Sequence, residues 1–305
     1  MLALACPASL KGVLSAPAAA AALAVGLRDG GALVRELPVA DGGEGTAEAL
    51  RTARGGEWRE ADVHDAFGRP RRARWLLLPD GTAVVESAAA VPLDPERLDP
   101  LAASSRGFGE LIAAALAAEP SALLLCLGGT ATMDGGAGLL EVVGELSVPA
   151  RVACDVRATL GDAPRLFGPQ KGAGPAEVAE LERRLAGRFD PGPGGGAAGG
   201  LGAALASLGA ALEPGAALVL DALEFDPAAA DVVVTGEGRV DRTTALGKAP
   251  GEVARRCVAA GIRCVVFGGI VDEPLPAVET VALSGDADRA HEDLRALGRR
   301  LAAAR

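Results

Sequence analysis

The chain has 305 residues, half of them hydrophobic, and carries 30 Lys and Arg against 40 Asp and Glu, for a formal charge of −10. That length and apolar content suit one large or two medium domains with a proper core. The acidic balance argues against a polyanion such as DNA, and six Phe, two Trp and no Tyr leave little on which to stack bases, so nucleic acid is excluded as a partner. A nucleotide is not excluded. Distant surface acids are screened over roughly 8 Å, whereas one Lys in contact with a phosphate is worth about 4 kcal/mol at an effective dielectric near 20.

Five cysteines, at positions 6, 126, 154, 257 and 264, form no C-x-x-C pair, and Cys126 and Cys264 sit in apolar runs as small core residues. A reduced, cytoplasmic setting follows. Residues 2–6 resemble a lipoprotein cleavage site and residues 16–27 a signal-peptide core. Neither has a basic segment before it, and Lys11 falls between them. No apolar run reaches the roughly 18 residues of a membrane span.

From the N-terminus, an apolar strand over residues 2–5 leads into Cys6-Pro-Ala-Ser-Leu-Lys11-Gly12. Ser15 can cap a helix with Pro17 in its first turn, running to about residue 27. A second strand at 32–37 empties into Val39-Ala-Asp41-Gly-Gly-Glu44-Gly45-Thr46, and a helix follows to about residue 54. This βαβα order predicts α/β with a parallel sheet. The texture then changes. Strands at 58–63, 72–78 and 83–87, joined by Gly68-Arg-Pro and Pro79-Asp-Gly-Thr turns, read as an antiparallel meander that starts a second domain.

The helix carrying Phe108, Leu111, Ile112, Ala115 and Leu116 on one stripe is followed by a buried strand at 123–127. That strand empties into Gly128-Gly129-Thr130-Ala-Thr-Met133-Asp134-Gly-Gly-Ala-Gly138. A strand at 148–154 ends at Asp155; Phe167-Gly-Pro-Gln-Lys171-Gly-Ala-Gly precedes a helix at 175–188. Gly194, Gly196 and Gly199 match a G-x-G-x-x-G pattern, but no strand precedes them and prolines flank them, so a flexible loop or a close helix contact is the better reading. The run Val232-Val-Val234 predicts a strand stopping at Thr235-Gly236-Glu237-Gly238-Arg239-Val240-Asp241, a charged loop before Lys248 and a helix starting near Pro250. Strands at 265–267 and 278–283 and a closing helix bearing Leu294, Leu297 and Leu301 complete the chain. The simplest architecture is one α/β domain made from both chain ends, residues 1–62 and 228–305, with a mixed α/β domain, 63–227, inserted.

Each Gly-rich or strand-end loop carries acids or lysines: Lys11; Asp41 and Glu44; Asp134; Asp155; Lys171; Glu237 and Asp241; Lys248. Any one of them reads equally well as a capping or turn residue. Together they suit phosphoryl transfer, in which backbone N–H groups and Lys neutralise phosphate, carboxylates hold Mg2+, and another carboxylate accepts the hydroxyl proton. With only His64 and His291, imidazole triads and His-ligated zinc are poorly supplied, and Gly247-Lys248 lacks the rest of a Walker loop.

Leu10-Lys-Gly-Val-Leu-Ser-Ala16, Val39-Ala-Asp-Gly-Gly-Glu-Gly-Thr46, Gly128 to Gly138, Phe167-Gly-Pro-Gln-Lys-Gly-Ala173, Gly196-Ala-Ala-Gly-Gly-Leu-Gly202 and Thr235-Gly-Glu-Gly-Arg-Val-Asp241 with Gly247-Lys-Ala-Pro250 occur in the order seen in bacterial type I glycerate kinases. The chain closely resembles that family to about residue 270. The resemblance implies ATP- and Mg2+-dependent phosphorylation of D-glycerate, with 2-phosphoglycerate favoured over 3-phosphoglycerate. It also implies two α/β domains, one flavodoxin-like, with the active site in the interdomain cleft. Within that motif set Asp134 or Asp41 is the base, and Lys11 joins them as catalytic. Glu44, Gly128, Gly129, Thr130, Lys171, Gly236, Arg239 and Lys248 are the substrate- and nucleotide-binding set. Asp155, Glu237 and Asp241 are the metal contacts; the sequence leaves the oligomeric state open, a homodimer being one option. Ala8 stands at a usual Asp, Met133 at a usual Asn, and Ala158-Thr159 at a usual Asn-Pro. The segment between Gly144 and Val148 and the C-terminal third are shortened. These departures keep open a catalytically impaired member that binds nucleotide or a hydroxy-acid as a regulatory protein, and, further off, a phosphohydrolase using the same acids.

Overall fold

A computed structural model describes residues 1–303. The chain opens with β1 (Leu2–Pro7), α1 (Ala16–Asp29), β2 (Leu33–Glu36) and α2 (Thr46–Arg54). Then come β3 (Glu57–His64), β4 (Pro70–Leu77), β5 (Thr82–Glu86), α3 (Ser87–Ala90), α4 (Arg106–Leu116), β6 (Ala122–Leu127), α5 (Ala137–Leu140) and β7 (Ala150–Cys154). It continues through α6 (Ala163–Phe167), α7 (Pro175–Leu185), α8 (Leu201–Ser207), β8 (Ala211–Pro214) and α9 (Gly215–Ala222). The last elements are β9 (Val232–Val240), α10 (Ala249–Ala260), β10 (Arg263–Val271), β11 (Glu279–Ala282) and α11 (Ala290–Ala303).

These elements form two compact units. The first takes Met1–Asp41, Glu48–Arg54 and the chain from Ala216 onward. Its sheet has the order β11-β10-β9-β1-β2, every pair parallel. Counted within the unit, that is the 2-1-3-4-5 order of flavodoxin-like folds. The β-branched run expected to form a doubly covered strand does so: Val232, Val233 and Val234 are buried and pair with Ala3, Leu4 and Ala5 of β1. One face is closed by α1 and α11. Leu23 and Leu27 meet Leu294, Leu297 and Leu301 there, and a Cβ at Gly26 would lie 2.1 Å from the Arg295 carbonyl oxygen. Only glycine permits so close a crossing. Ser15 caps α1 by accepting from the Ala18 N–H, as its sequence predicts.

The second unit is Gly42–Ala47 and Gly55–Gly215. Its sheet runs β3-β4-β5-β6-β7-β8, antiparallel through β5 and parallel from β5 to β8. The Phe108, Leu111, Ile112 and Ala115 stripe of α4 is fully buried against this sheet. After the short excursion Gly42–Ala47, the lasting crossing into the second unit falls at Arg54–Gly55, ahead of the expected limit at 62, because β3 pairs along its whole length with β4. The return falls at Gly215–Ala216, ahead of 227, so that α9 lies almost wholly in the first unit. The glycine run near 194–202 forms a packed turn and not a dinucleotide loop: a Cβ on Gly199 would lie 1.9 Å from the Thr132 carbonyl oxygen.

One element differs from expectation in a way that shapes the site. Gly236 to Val240 is not a loop. β9 continues through it, with Glu237 opposite Gly268, Arg239 opposite Ile270 and Val240 opposite Val271 of β10. A Cβ at Gly236 would sit 2.2 Å from the Phe267 carbonyl oxygen, so the glycine content that suggests a turn here admits close strand packing.

Candidate active site

In the first unit the chain leaves β1 toward β2 on one side, while β9 leads through α10 to β10 on the other. The carboxyl ends of these two neighbours therefore form a topological switch point, where α/β sheets place ligands. A cleft of about 410 Å3 opens there, lined on one side by Lys11 and on others by Glu237, Arg239, Asp241 and Lys248.

Glu237 anchors this group. Its Oε1 accepts from the Thr244 hydroxyl at 2.7 Å and its Oε2 from the Lys248 ammonium at 3.1 Å. Burial raises the Glu237 pKa; the bonds from Thr244 and Lys248 work against the rise, and the nearby charge of Asp41 adds to it. Burial likewise raises the Asp41 pKa, opposed by its bond from the Ala249 N–H at the first turn of α10 and by Lys248. Two desolvated carboxylates sharing one Lys are short of positive charge, which a bound divalent cation would supply. Asp241 is used differently: its Oδ1 accepts from the Thr243 N–H at 2.7 Å and hydroxyl at 2.5 Å, a local turn, and these bonds lower its pKa. Lys11 is exposed and has no hydrogen-bond or ion-pair partner among the described residues. Arg239 pairs with Asp272 at 2.6 Å, both about half exposed, a contact that yields easily to an anion.

The second unit gathers the other predicted residues. After β6, a Cβ at Gly128 would fall 2.9 Å from an Asp155 carboxylate oxygen and 3.1 Å from the Gly43 Cα, so the loops after β6 and β7 and the 42–47 segment close on one another only through glycine. Glu44 is exposed beside Gly129. Asp134 accepts four hydrogen bonds: from the Ser105 N–H and hydroxyl at 2.8 Å each, and from the N–H groups of Gly136 and Gly138 at 3.1 Å each. Three of these fall on Oδ2 and one on Oδ1, so Oδ2 is saturated while Oδ1 keeps room for one more donor. Lys171 is only 4% exposed and donates to the Thr132 carbonyl at 2.8 Å and toward the Thr130 hydroxyl at 3.5 Å. Burial pulls its pKa down to about 8, against the charges of Asp155 and Asp134. Met133, at a usual Asn position, is fully buried with Ala163, Ala173 and Leu181.

The predicted set thus divides. Lys11, Asp41, Gly236, Glu237, Arg239, Asp241 and Lys248 belong to the first unit; Glu44, Gly128, Gly129, Thr130, Asp134, Asp155 and Lys171 belong to the second. Among the described residues no three His, Cys, Asp or Glu side chains converge as a ready metal cage, and Mg2+ in kinases characteristically takes one or two carboxylates plus phosphate. Sequence reasoning passed over Glu86. This acid closes β5, accepts from the Ala47 N–H at 2.7 Å and so holds the first turn of α2. Burial raises its pKa against the bonds from Ala47 and Gly45, with Glu44 adding to the rise. The available signal was a charged residue ending the apolar run Ala83-Val-Val. Buried Ser87 and Ser105 were also missed. Ser87 donates to the Cys126 carbonyl at 3.1 Å, and Ser105 ties Asp134 to α5 through the Leu139 N–H at 2.9 Å.

Lysines and acids gathered at the strand ends of two α/β units define an anion-handling enzyme scaffold of the phosphotransferase kind. The comparisons place it further. A profile of the glycerate kinase family matches residues 3–150 and 145–286, the break falling where the Gly144–Val148 segment is short. The chain is 39% identical to glycerate 2-kinase of Escherichia coli K12, over 81% of this chain and 80% of that one. It is 37% identical to glycerate kinase of Bacillus subtilis 168, over 89% and 86%. A crystal structure of putative glycerate kinase 2 from Salmonella typhimurium LT2 superposes with a TM-score of 0.85 at 34% identity, covering 99% of this chain and 97% of that one. The chain belongs to the glycerate kinase family.

Proposed function

We propose that the protein phosphorylates D-glycerate with ATP and Mg2+, giving 2-phosphoglycerate in preference to 3-phosphoglycerate, in the cytoplasm. The observation that carries this reading is the cleft of the first unit, where Lys11, Arg239 and Lys248 flank Glu237 at the β1/β9 switch point in a chain of this family. Lys11 and Lys248 neutralise the transferring phosphate. Glu237 would hold Mg2+, which would supply charge neutralisation at the phosphate oxygens.

Asp41 is the better candidate of the two for accepting the glycerate hydroxyl proton. Burial raises its pKa and with it its basicity, whereas Asp134 gives Oδ2 to Ser105 and Gly138 and one site of Oδ1 to Gly136. The five cysteines, all free and buried, suit a reducing compartment.

A coupled assay for ADP release tests this reading, with the product position read by phosphorus NMR. Turnover should require D-glycerate and vanish with chelator; folded protein giving no signal above the blank would remove the reading. The burial of Met133 among apolar side chains, where an amide is usual, favours one alternative, a member that binds without turnover. Thermal stabilisation by ATP or glycerate with no ADP release would select it.

A further inference from the structure

Glu86 and Ser87, where β5 passes into α3, lie outside every glycine-rich stretch of the chain, yet they hold two of them. β5 runs parallel to β6 with Glu86 opposite Cys126, so its carboxyl end stands beside the loop that opens at Gly128. The Glu86 carboxylate accepts from the Ala47 N–H at 2.7 Å and from the Gly45 N–H. The Ser87 hydroxyl accepts from the Gly128 N–H at 3.3 Å and donates to the Cys126 carbonyl at 3.1 Å. Two adjacent side chains thus tie the 42–47 segment and the Gly128–Gly129 loop to one strand end. Thr46 and Ser87 are fully buried, so water does not stand in for a lost bond.

Glu44 sits between the two anchors. It directly precedes Gly45, and its carboxylate lies against Gly129, the residue after Gly128: a Cβ on Gly129 would be 3.5 Å from a Glu44 carboxylate oxygen and 3.4 Å from the Ala88 Cβ. Glu44 is exposed, and its side chain makes no hydrogen bond or ion pair among the described residues. Its place is therefore set by the backbone that Glu86 and Ser87 grip. Burial raises the Glu86 pKa, and the charge of Glu44 adds to the rise. A loop held for stability alone would be served better by a neutral acceptor than by a second, buried acid.

We propose that Glu86 and Ser87 are positioning residues for the reaction: by gripping Gly45 and Gly128 they hold the Glu44 carboxylate against Gly129, where it meets the bound substrate or nucleotide. The proposal rests on the kinase reading for the role of Glu44. It adds that the fit of the two glycine-rich loops is set from a strand end that belongs to neither, and that Glu86 and Ser87 act only through Glu44.

The test is a double-mutant cycle on kcat/KM in the full chain, with urea midpoints alongside, pairing Glu86→Met with Glu44→Ala. Glu86→Met keeps the length of the side chain and removes both acceptors. Alone it should lower kcat/KM about 10- to 100-fold, the scale of a group displaced by an ångström. In the Glu44→Ala background it should cost less than about twofold, because the two substitutions break one device. The urea midpoint should fall equally in both backgrounds, so a merely structural Glu86 would not reproduce the vanished effect on turnover. Glu86→Gln, which retains one acceptor oxygen, should recover part of kcat/KM. Equal losses of kcat/KM in both backgrounds would overturn the proposal, and so would parental turnover in Glu44→Ala. If Glu86→Met fails to fold, Glu86→Gln and Ser87→Ala carry the same cycle. A parent that never phosphorylates glycerate defeats the kinase reading instead, and amide hydrogen exchange then judges the grip. Faster exchange at Gly45 and Ala47 in Glu86→Gln, and at Gly128 in Ser87→Ala, upholds it; unchanged exchange overturns it.

Discussion

Two pairs of residues, one pair in each unit, are treated in opposite ways. In the second, Asp134 accepts from four donors and Lys171 is shut away against the Thr132 carbonyl. In the first, Lys11 stands without a partner among the described residues and Arg239 holds only an exposed acid. A charged residue in a glycine-rich loop is therefore not yet a ligand group. Whether its hydrogen-bonding capacity is already consumed separates the brace from the binder.

Substitutions can sharpen or break that contrast. The largest effect is expected at Asp41: Asp41→Asn should lower kcat by roughly 10²- to 10⁴-fold, the range for loss of a general base, while urea denaturation shows little change because an amide oxygen can still accept from Ala249. Asp134→Ala should do the reverse. It leaves the N–H groups of Ser105, Gly136 and Gly138 without their acceptor, at about 1–3 kcal/mol for each one that water cannot reach, so its urea midpoint should drop sharply; an unchanged midpoint with lost turnover would erase the distinction. Lys11→Ala should reduce kcat/KM on the order of 10- to 100-fold without moving the melting temperature, since this ammonium holds nothing in the fold.

Lys171 offers a smaller, pH-dependent effect. Its pKa is about 8 in the folded protein and about 10.4 in an unfolded chain. Between those values the unfolded state binds more protons, so this residue makes stability rise with pH across the window. Below about 8 both states carry the charge and the contribution is flat. Lys171→Met should therefore gain on the parent at pH 7 and lose that advantage by pH 10, as measured by paired urea titrations. Least of all, Asp272→Ala should shift stability by less than about 1 kcal/mol, because the Arg239–Asp272 pair is solvent-exposed.

How much of this could be read from the sequence depended on the range of the forces involved. Val232 to Val234 and the Phe108 stripe announced themselves, because burial on both faces or on one helical side leaves a local pattern. The extension of β9 through Gly236 and Arg239 did not. Its pairing partner, Gly268 to Val271, lies further along the chain, and glycine with charge imitates a turn. The same distance hid the role of Asp134, whose donors include Ser105, and the burial of Lys171 under the Thr130–Thr132 turn. The loops were legible as sites of chemistry. The division of labour inside them was not, since it is written in contacts between segments remote in sequence.

The crossing of α1 and α11, with Gly26 against Arg295, joins the earliest helix of the chain to the last one described. On the ribosome this imposes an order of events. The sheet of the second unit, from Glu57 to Pro214, can assemble as it emerges, whereas β1 stays an open apolar edge until β9 is made, more than 200 residues later. A nascent chain stalled before Val232 should thus present Leu2–Pro7 to holding chaperones, and the cleft that begins at Lys11 cannot exist until β9 and β10 have been made.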